Sequence, residues 1–543
     1  MHEAYAVLEK KLRRTLKQQP GHVESTLELS HLLAERGELA EALKLLRRAA
    51  LMHPQALRVQ CALGSLALTA GETEQAMQAF RRASLLQPDS AEIQFYMANT
   101  LAAQAAPLEE VLAAYALARA KDPDFQPAYL ATAALLRVVR RYAEALAILN
   151  AASTRHVPSA ELLRNRAITR MALEDYSGAL ADLDAAVSAE PAHPDGHNFR
   201  GNALQKLGRF DDALASFQLA QILSPDYASA HWNEALCRLS MGDWSRETWH
   251  KYEWGWQLGE RHPQRSFVQA RWTGEQCLAG KRILLHDEQG LGDTLQFSRF
   301  ALSVAQLGAE VILHVQPALK SLLQSLPGLA AVIAEGEAIP PFDYHCPLLS
   351  LPGALGNHAG NIPVPAEALA PDQASRDKWQ ARIAGLSPSL PGLRVGVVWS
   401  GNVAQGDNHK RSLPLASMLA MRVPGVSFVS LQQQASEAEL AMLAQAGVPH
   451  FGAELESFAD TAALITQMHL VISVCTSVAH LAGAMAAPCW VLLARPHCWR
   501  WLNDAETTPW YPSVRLFRQL QPGVWDDVAV AVRAALALQS APA

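Results

Sequence analysis

Three short stretches hold the residue types that chemistry needs. In the first, Gly290-Leu291-Gly292-Asp293 stands between the apolar run 282–285 and a helix-like pattern. Glycines in such a turn let another group approach the backbone. An aspartate in the first helical turn either caps exposed N–H groups or, at the mouth of a cleft, takes a proton from a hydroxyl. The turn is one glycine short of G-x-G-x-x-G, because Leu295 fills the third place, and no acidic residue ends the next strand-like run. A dinucleotide fingerprint, and with it a nucleotide-dependent oxidoreductase, is therefore disfavoured. The second stretch places Ser400, Gly401 and Asn402 after an apolar run, then Lys410 and Arg411 ahead of Pro414. Adjacent cations on a loop are either a solvated patch or a means of neutralising phosphate. The third, residues 472–493, sets Cys475, Thr476, Ser477 and His480 between an apolar run and a stripe of small residues. Hydroxyls and free N–H groups at a helix start form an anion site. The small residues need only close helix–sheet packing.

The elements that position these stretches alternate. From Lys281 onward, short apolar runs and amphipathic stretches succeed one another, which predicts parallel sheet with helices on both faces. A region rich in Pro, Ala, Gly and Ser around 353–392 divides the series into two lobes, 281–352 and 393–543, with a ligand cleft expected at their junction.

The N-terminal half reads differently. Ala42, Ala76, Val111, Ala145, Ala179 and Ala213 recur at steps of 34 or 35; Leu46, Phe80, Tyr115, Leu149, Leu183 and Phe217 follow four later. Ala49, Ala83, Ala118, Ala152, Ala186 and Ala220 come three further on, and Pro54, Pro88, Pro123, Pro191 and Pro225 close the units, with Val157 standing in once. That period and pattern are those of the tetratricopeptide repeat, a helical superhelix over 1–245. Such arrays hold proteins or extended peptides, and Asn165 and Asn233, two units apart at one repeat position, are candidates for an acceptor groove. The simpler reading, two solvated polar positions on the first helix of each unit, is preferred. The segment 246–280 opens with tryptophans and reads as a cap and linker.

The chain has 543 residues, a formal charge of −6 and seven cysteines without a CxxC pair. Scattered charge disfavours nucleic acid and anionic membrane surfaces as partners. The odd, unpaired cysteines fit a reducing, cytoplasmic setting. The absence of an apolar stretch of about 18 residues argues against membrane insertion. The spacings Asp122-x-Asp124 and Asp182-x-Asp184 fall inside the repeats and are not metal motifs.

The turn Gln289–Phe300, the basic pair before Pro414 and the element at 472–493 together resemble the heptosyltransferases, glycosyltransferase family 9. The resemblance implies a two-lobed, Rossmann-like GT-B domain that needs no metal or cofactor and uses a nucleotide sugar as substrate. It implies Asp293 as the base that activates the acceptor. Gly290, Gly292, Ser400, Asn402, Lys410, Arg411, Thr476, Ser477 and His480 are then donor-binding, with Arg411 the basic residue three before the proline. Joined to tetratricopeptide repeats, such a domain looks like bacterial protein glycosyltransferases, including those proposed to modify flagellin. Two departures stand out: Cys475 replaces the usual aspartate, and Cys498 also falls where repeat-bearing transferases often show one. Cysteine accepts hydrogen bonds poorly and is uncharged unless activated. The rival expectation is a non-catalytic adaptor on a degenerate transferase fold.

Overall fold

The computed structural model describes residues 2–154, 158–356, 362–363, 369–386, 389–402, 408–503 and 505–540. The chain divides into two compact units, 1–203 and 204–543. The division falls inside the repeats rather than at residue 245.

The first unit opens with the helix His2–Gln18 and continues as antiparallel pairs: Val23–Glu35 with Leu39–Met52, Leu57–Thr69 with Thr73–Leu86, Ala91–Ala103 with Leu108–Lys121, Gln126–Val138 with Tyr142–Ser153, and Ala160–Ala172 with Tyr176–Ala189. The periodic small and large residues are buried in these pairs, Ala152 alone being only half-buried. Pro54, Pro88, Pro123 and Pro191 each follow a helix end by two residues, where a missing N–H costs no helical bond. Val157 lies outside the described residues. One residue between paired helices takes the left-handed conformation in every unit: Gly37, Gly71, Ala105, Arg140 and Glu174. The period is thus written in the backbone even where glycine has been lost. Asp182 accepts bonds from Arg166 and Arg170, so its part in the Asp-x-Asp spacing is structural.

Close approach decides one substitution here. Alanine in place of a mid-helix glycine ordinarily gains about 1 kcal/mol. A Cβ on Gly64 would lie 2.6 Å from the fully buried Phe80 ring, which is itself stacked on Tyr96. Gly64→Ala is therefore expected to reverse sign and cost about 1–3 kcal/mol, read as a lower midpoint in urea unfolding.

The division falls within the helix Pro194–Lys206; the second unit continues with the helices Phe210–Leu223, Ala228–Ser240 and Arg246–Tyr252 and then builds two sheets. The first comprises β1 (Ala270–Arg271), β2 (Arg282–His286), β3 (Glu310–Val315), β4 (Leu329–Ala334) and β5 (Tyr344–Pro347), all parallel, in the order β1-β5-β2-β3-β4. The second comprises β6 (Leu393–Val398), β7 (Val426–Ser430), β8 (Leu470–Val474), β9 (Cys489–Leu493), β10 (Thr507–Thr508) and β11 (Tyr511–Arg518), in the order β10-β11-β9-β8-β6-β7. Only the edge strand β10 is antiparallel. Both faces of these sheets are covered, which explains why strands such as β7, β8 and β9 are buried at every position.

Two segments differ from the sequence reading. Residues 246–280, expected as cap and linker, also contribute β1 to the first sheet. The stretch 353–392, expected as a linker, contains the helix Gln373–Ala384, whose Trp379 is fully buried and donates to Asp460 Oδ1 at 2.9 Å. A two-residue edge strand and a helix with little amphipathic signal leave weak patterns. Trp244 and Trp249 are buried, Trp244 packing on Trp510 and Trp249 on Phe297 and Trp499, while Trp254 and Trp256 are half-buried. Asn503 Nδ2 donates to the Ser240 carbonyl at 2.9 Å, so the last repeat helix is part of the same core as the second sheet.

Candidate functional site

In each sheet the strand order reverses once, between β2 and β5 and between β6 and β8. Crevices open beyond the carboxyl ends of strands at such points. The turn after β2 lies at the first. There Glu288, fully buried, accepts from Arg261 Nε at 2.7 Å and Nη2 at 2.6 Å, and from the Leu349 N–H at 2.8 Å. The ends of β2 and β5 are thereby tied through one carboxylate. Arg261 also donates to Glu253 and Ser350, both at 2.8 Å, and lies over Trp256. Gln289 then turns the chain through a left-handed conformation, and the helix Leu291–Phe297 begins.

Asp293 is held twice. Its Oδ2 accepts the Gly290 N–H at 3.0 Å, and its Oδ1 forms an ion pair with Arg500 from the second lobe. Arg500 lies over Trp499 and donates to Cys498 Sγ at 3.5 Å. Gly290 has an extended backbone that needs no glycine, and a Cβ there would touch only Asp293. Gly292 does need to be small, since a Cβ would come 2.8 Å from His480 Cδ2. The group that approaches this backbone is a side chain of the second lobe, where the sequence reading had expected substrate.

The second reversal holds a cavity of about 270 Å³. Ser400, Gly401 and Asn402 line it from the end of β6, Gln432, Gln433 and Gln434 from beyond β7, and Thr476, Ser477 and Val478 from beyond β8. Leu291 and Ala318 close it from the first lobe. Two helices start at its wall, Phe458–Ile465 and Ser477–Ala484. Their first N–H groups have no acceptor within the helix, and their dipoles bring partial positive charge. Glu456 is the acidic member of the lining. Among the missed residues, Ser457 was marked in the sequence by its capping box with Asp460. The glutamines carried no signal, because only the placement of β7 brings them here.

The remaining candidates scatter. Thr476 is buried with its hydroxyl 2.9 Å from Ser473 Oγ, so it shapes the wall rather than offering a free donor. Arg411 is not among the residues lining the cavity; it donates to Asn408 Oδ1 at 3.3 Å, and the same oxygen accepts the Gly401 N–H at 3.0 Å. Asn408, which the sequence reading passed over, thus fixes both the Ser400 turn and the Arg411 side chain. Lys410 is exposed. His480 lies behind the cavity, stacked on Trp501, with Nδ1 2.9 Å from the Tyr511 hydroxyl. Burial, then the charges of Arg500, Arg299 and Arg411, push its imidazole down to about 3. It is neutral at pH 7, so any part it has in donor binding is by hydrogen bonding and not by charge. Asn165, in the first unit, donates to the Glu161 carbonyl and accepts from Arg137. Asn233, in the second, is half-buried on the helix Ala228–Ser240.

The paired helices are tetratricopeptide repeats, and the last of them share a compact unit with the two-sheet α/β portion. Tetratricopeptide-repeat family models match residues 9–56, 57–90, 164–228 and 200–246. Protein FlbA of Caulobacter vibrioides is 29% identical over 433 residues, 74% of this chain and 71% of FlbA. That span is longer than the helical array, so the likeness extends into the α/β portion. Among solved structures, a tetratricopeptide repeat protein from Parabacteroides merdae is 17% identical, with 42% of this chain and 90% of that one covered and a TM-score of 0.34. PilF of Pseudomonas aeruginosa is 18% identical, with 38% and 92% covered and a TM-score of 0.33. Among the described residues no helix is long and apolar enough to cross a membrane.

Proposed function

We propose that the protein is a metal-independent GT-B glycosyltransferase that moves a sugar from a nucleotide-sugar donor to an acceptor protein held by the repeats. The observation that carries this reading is the cavity at the β6–β8 reversal, where two helix N-termini and the polar groups of Ser400, Asn402, Gln432 and Ser477 converge. A nucleoside diphosphate needs that combination of N–H donors, hydroxyls and amides. Asp293 on the facing lobe is the group suited to take the acceptor proton. The repeats joined to such a domain resemble bacterial protein glycosyltransferases, including those proposed to modify flagellin, which makes flagellin a candidate acceptor, and the unpaired cysteines fit a cytoplasmic setting.

One observation favours the adaptor instead. Both oxygens of Asp293 are engaged, one by the Gly290 N–H and one by Arg500, so neither is free to meet an acceptor hydroxyl. A thermal-shift panel separates the two readings. Nucleoside diphosphates of each base, with their sugar conjugates, are added to the full chain; at about 100 times Kd a binder stabilises by about 2.7 kcal/mol, a shift of a few degrees. A shift with one base supports the transferase. If none of the panel raises the melting temperature, the transferase reading fails and the adaptor stands.

A further inference from the structure

The two cysteines that depart from the transferase pattern at separate places in the sequence are neighbours in space. β8 and β9 run parallel and adjacent, with Val474 paired to Leu492. Cys475 follows β8 directly, and the loop after β9 brings Cys498 back to the start of the turn Trp499–Trp501. The two thiols lie within interaction range of each other. Trp501 Nε1 donates to Cys475 Sγ at 3.1 Å, and Arg500 Nη1 to Cys498 Sγ at 3.5 Å. Both residues are half-buried, whereas Cys237, Cys346 and Cys489 are fully buried. A guanidinium and an indole N–H directed at two neighbouring sulfurs are the setting of a reactive thiolate with its resolving partner. A packing cysteine has no use for them.

We propose that Cys475 and Cys498 form a dithiol site whose co-substrate is a hydroperoxide, with Cys498 as the attacking sulfur and Cys475 as the resolving one. The Cys498 thiolate attacks the peroxide, forming an S–O bond as the O–O bond breaks. The departing oxygen takes a proton and leaves as water or alcohol. The Cys475 sulfur then attacks the sulfenic acid, an S–S bond forms as the S–O bond breaks, and hydroxide leaves with the Cys475 proton as a second water. Two electrons pass from the thiols to the peroxide. The neighbouring Cys475 thiol, and with it the Arg500 charge, holds the Cys498 thiol below its ordinary value against its burial, while Cys475 is pushed up. The proposal stands independently of sugar transfer.

The test uses the reduced full chain at pH 7 with hydrogen peroxide, followed by alkylation and peptide mapping. The expected result is a Cys475–Cys498 cross-link with loss of two thiols, Cys498 reacting about tenfold faster than the exposed Cys277. Cys475→Ser should halt the sequence at a Cys498 sulfenic acid that dimedone traps. A map without that cross-link, or with Cys498 no faster than Cys277, overturns the proposal. The wild-type map decides the question even where the serine variant folds poorly.

Discussion

On the proposed transferase reading, Asp293→Asn is expected to slow sugar transfer by about 10²–10⁴-fold, the usual worth of a positioned general base, while the melting-temperature shift given by the donor nucleotide persists. Asparagine can still accept the Gly290 N–H, so the start of the helix Leu291–Phe297 keeps its cap. What it cannot do is take a proton. For Asp293 to act it must loosen its hold on Arg500, and the second partner of that arginine, the Cys498 sulfur, is placed to share the cation. An unchanged rate in Asp293→Asn, with donor binding intact, would reduce Asp293 to a cap and counter-ion. Loss of both rate and donor shift would instead point to disruption of the lobe contact.

The second large effect is one of stability. Arg261→Met is expected to destabilise the second unit by about 3–5 kcal/mol, because it strands a fully buried carboxylate, Glu288, without its cation. Arg261→Lys should rescue little. A point charge cannot donate at once to Glu288, Glu253 and Ser350 as the planar fork does. Adding Glu288→Gln to Arg261→Met should recover part of the loss, since it removes the stranded charge. Chemical unfolding of the three variants measures this, and a midpoint for Arg261→Met equal to wild type would refute the account.

The repeats were legible because their signal is local and redundant. Each unit repeats a small residue, a large one and a stop at fixed spacing, and burial at those positions follows from the helical period alone. The alternation of strands and helices was legible for the same reason. What the sequence withheld depends on strand order. Cys475 and Cys498 meet only because β9 lies beside β8, and Gln432 reaches the cavity only because β7 crosses beside β6. Arg261 and Glu288 carried no pattern, since an ion pair between residues 27 apart looks like two ordinary surface charges until both are enclosed. Gly292 was noticed, but its neighbour was misjudged. A glycine announces that something comes close without saying what.

The border between Ala203 and Leu204 has a consequence for how such chains can change over time. In a stack of repeats each unit is stabilised mainly by its nearest neighbours, so those ahead of the border can be duplicated or dropped as single beads on a string. The last helices cannot, because Trp232 crowds Gly255, Trp244 meets Trp510, and Ser240 is tied to Asn503. Repeat number is then an adjustable ruler ahead of a fixed hub, and relatives should differ in length upstream of residue 204 far more readily than downstream of it.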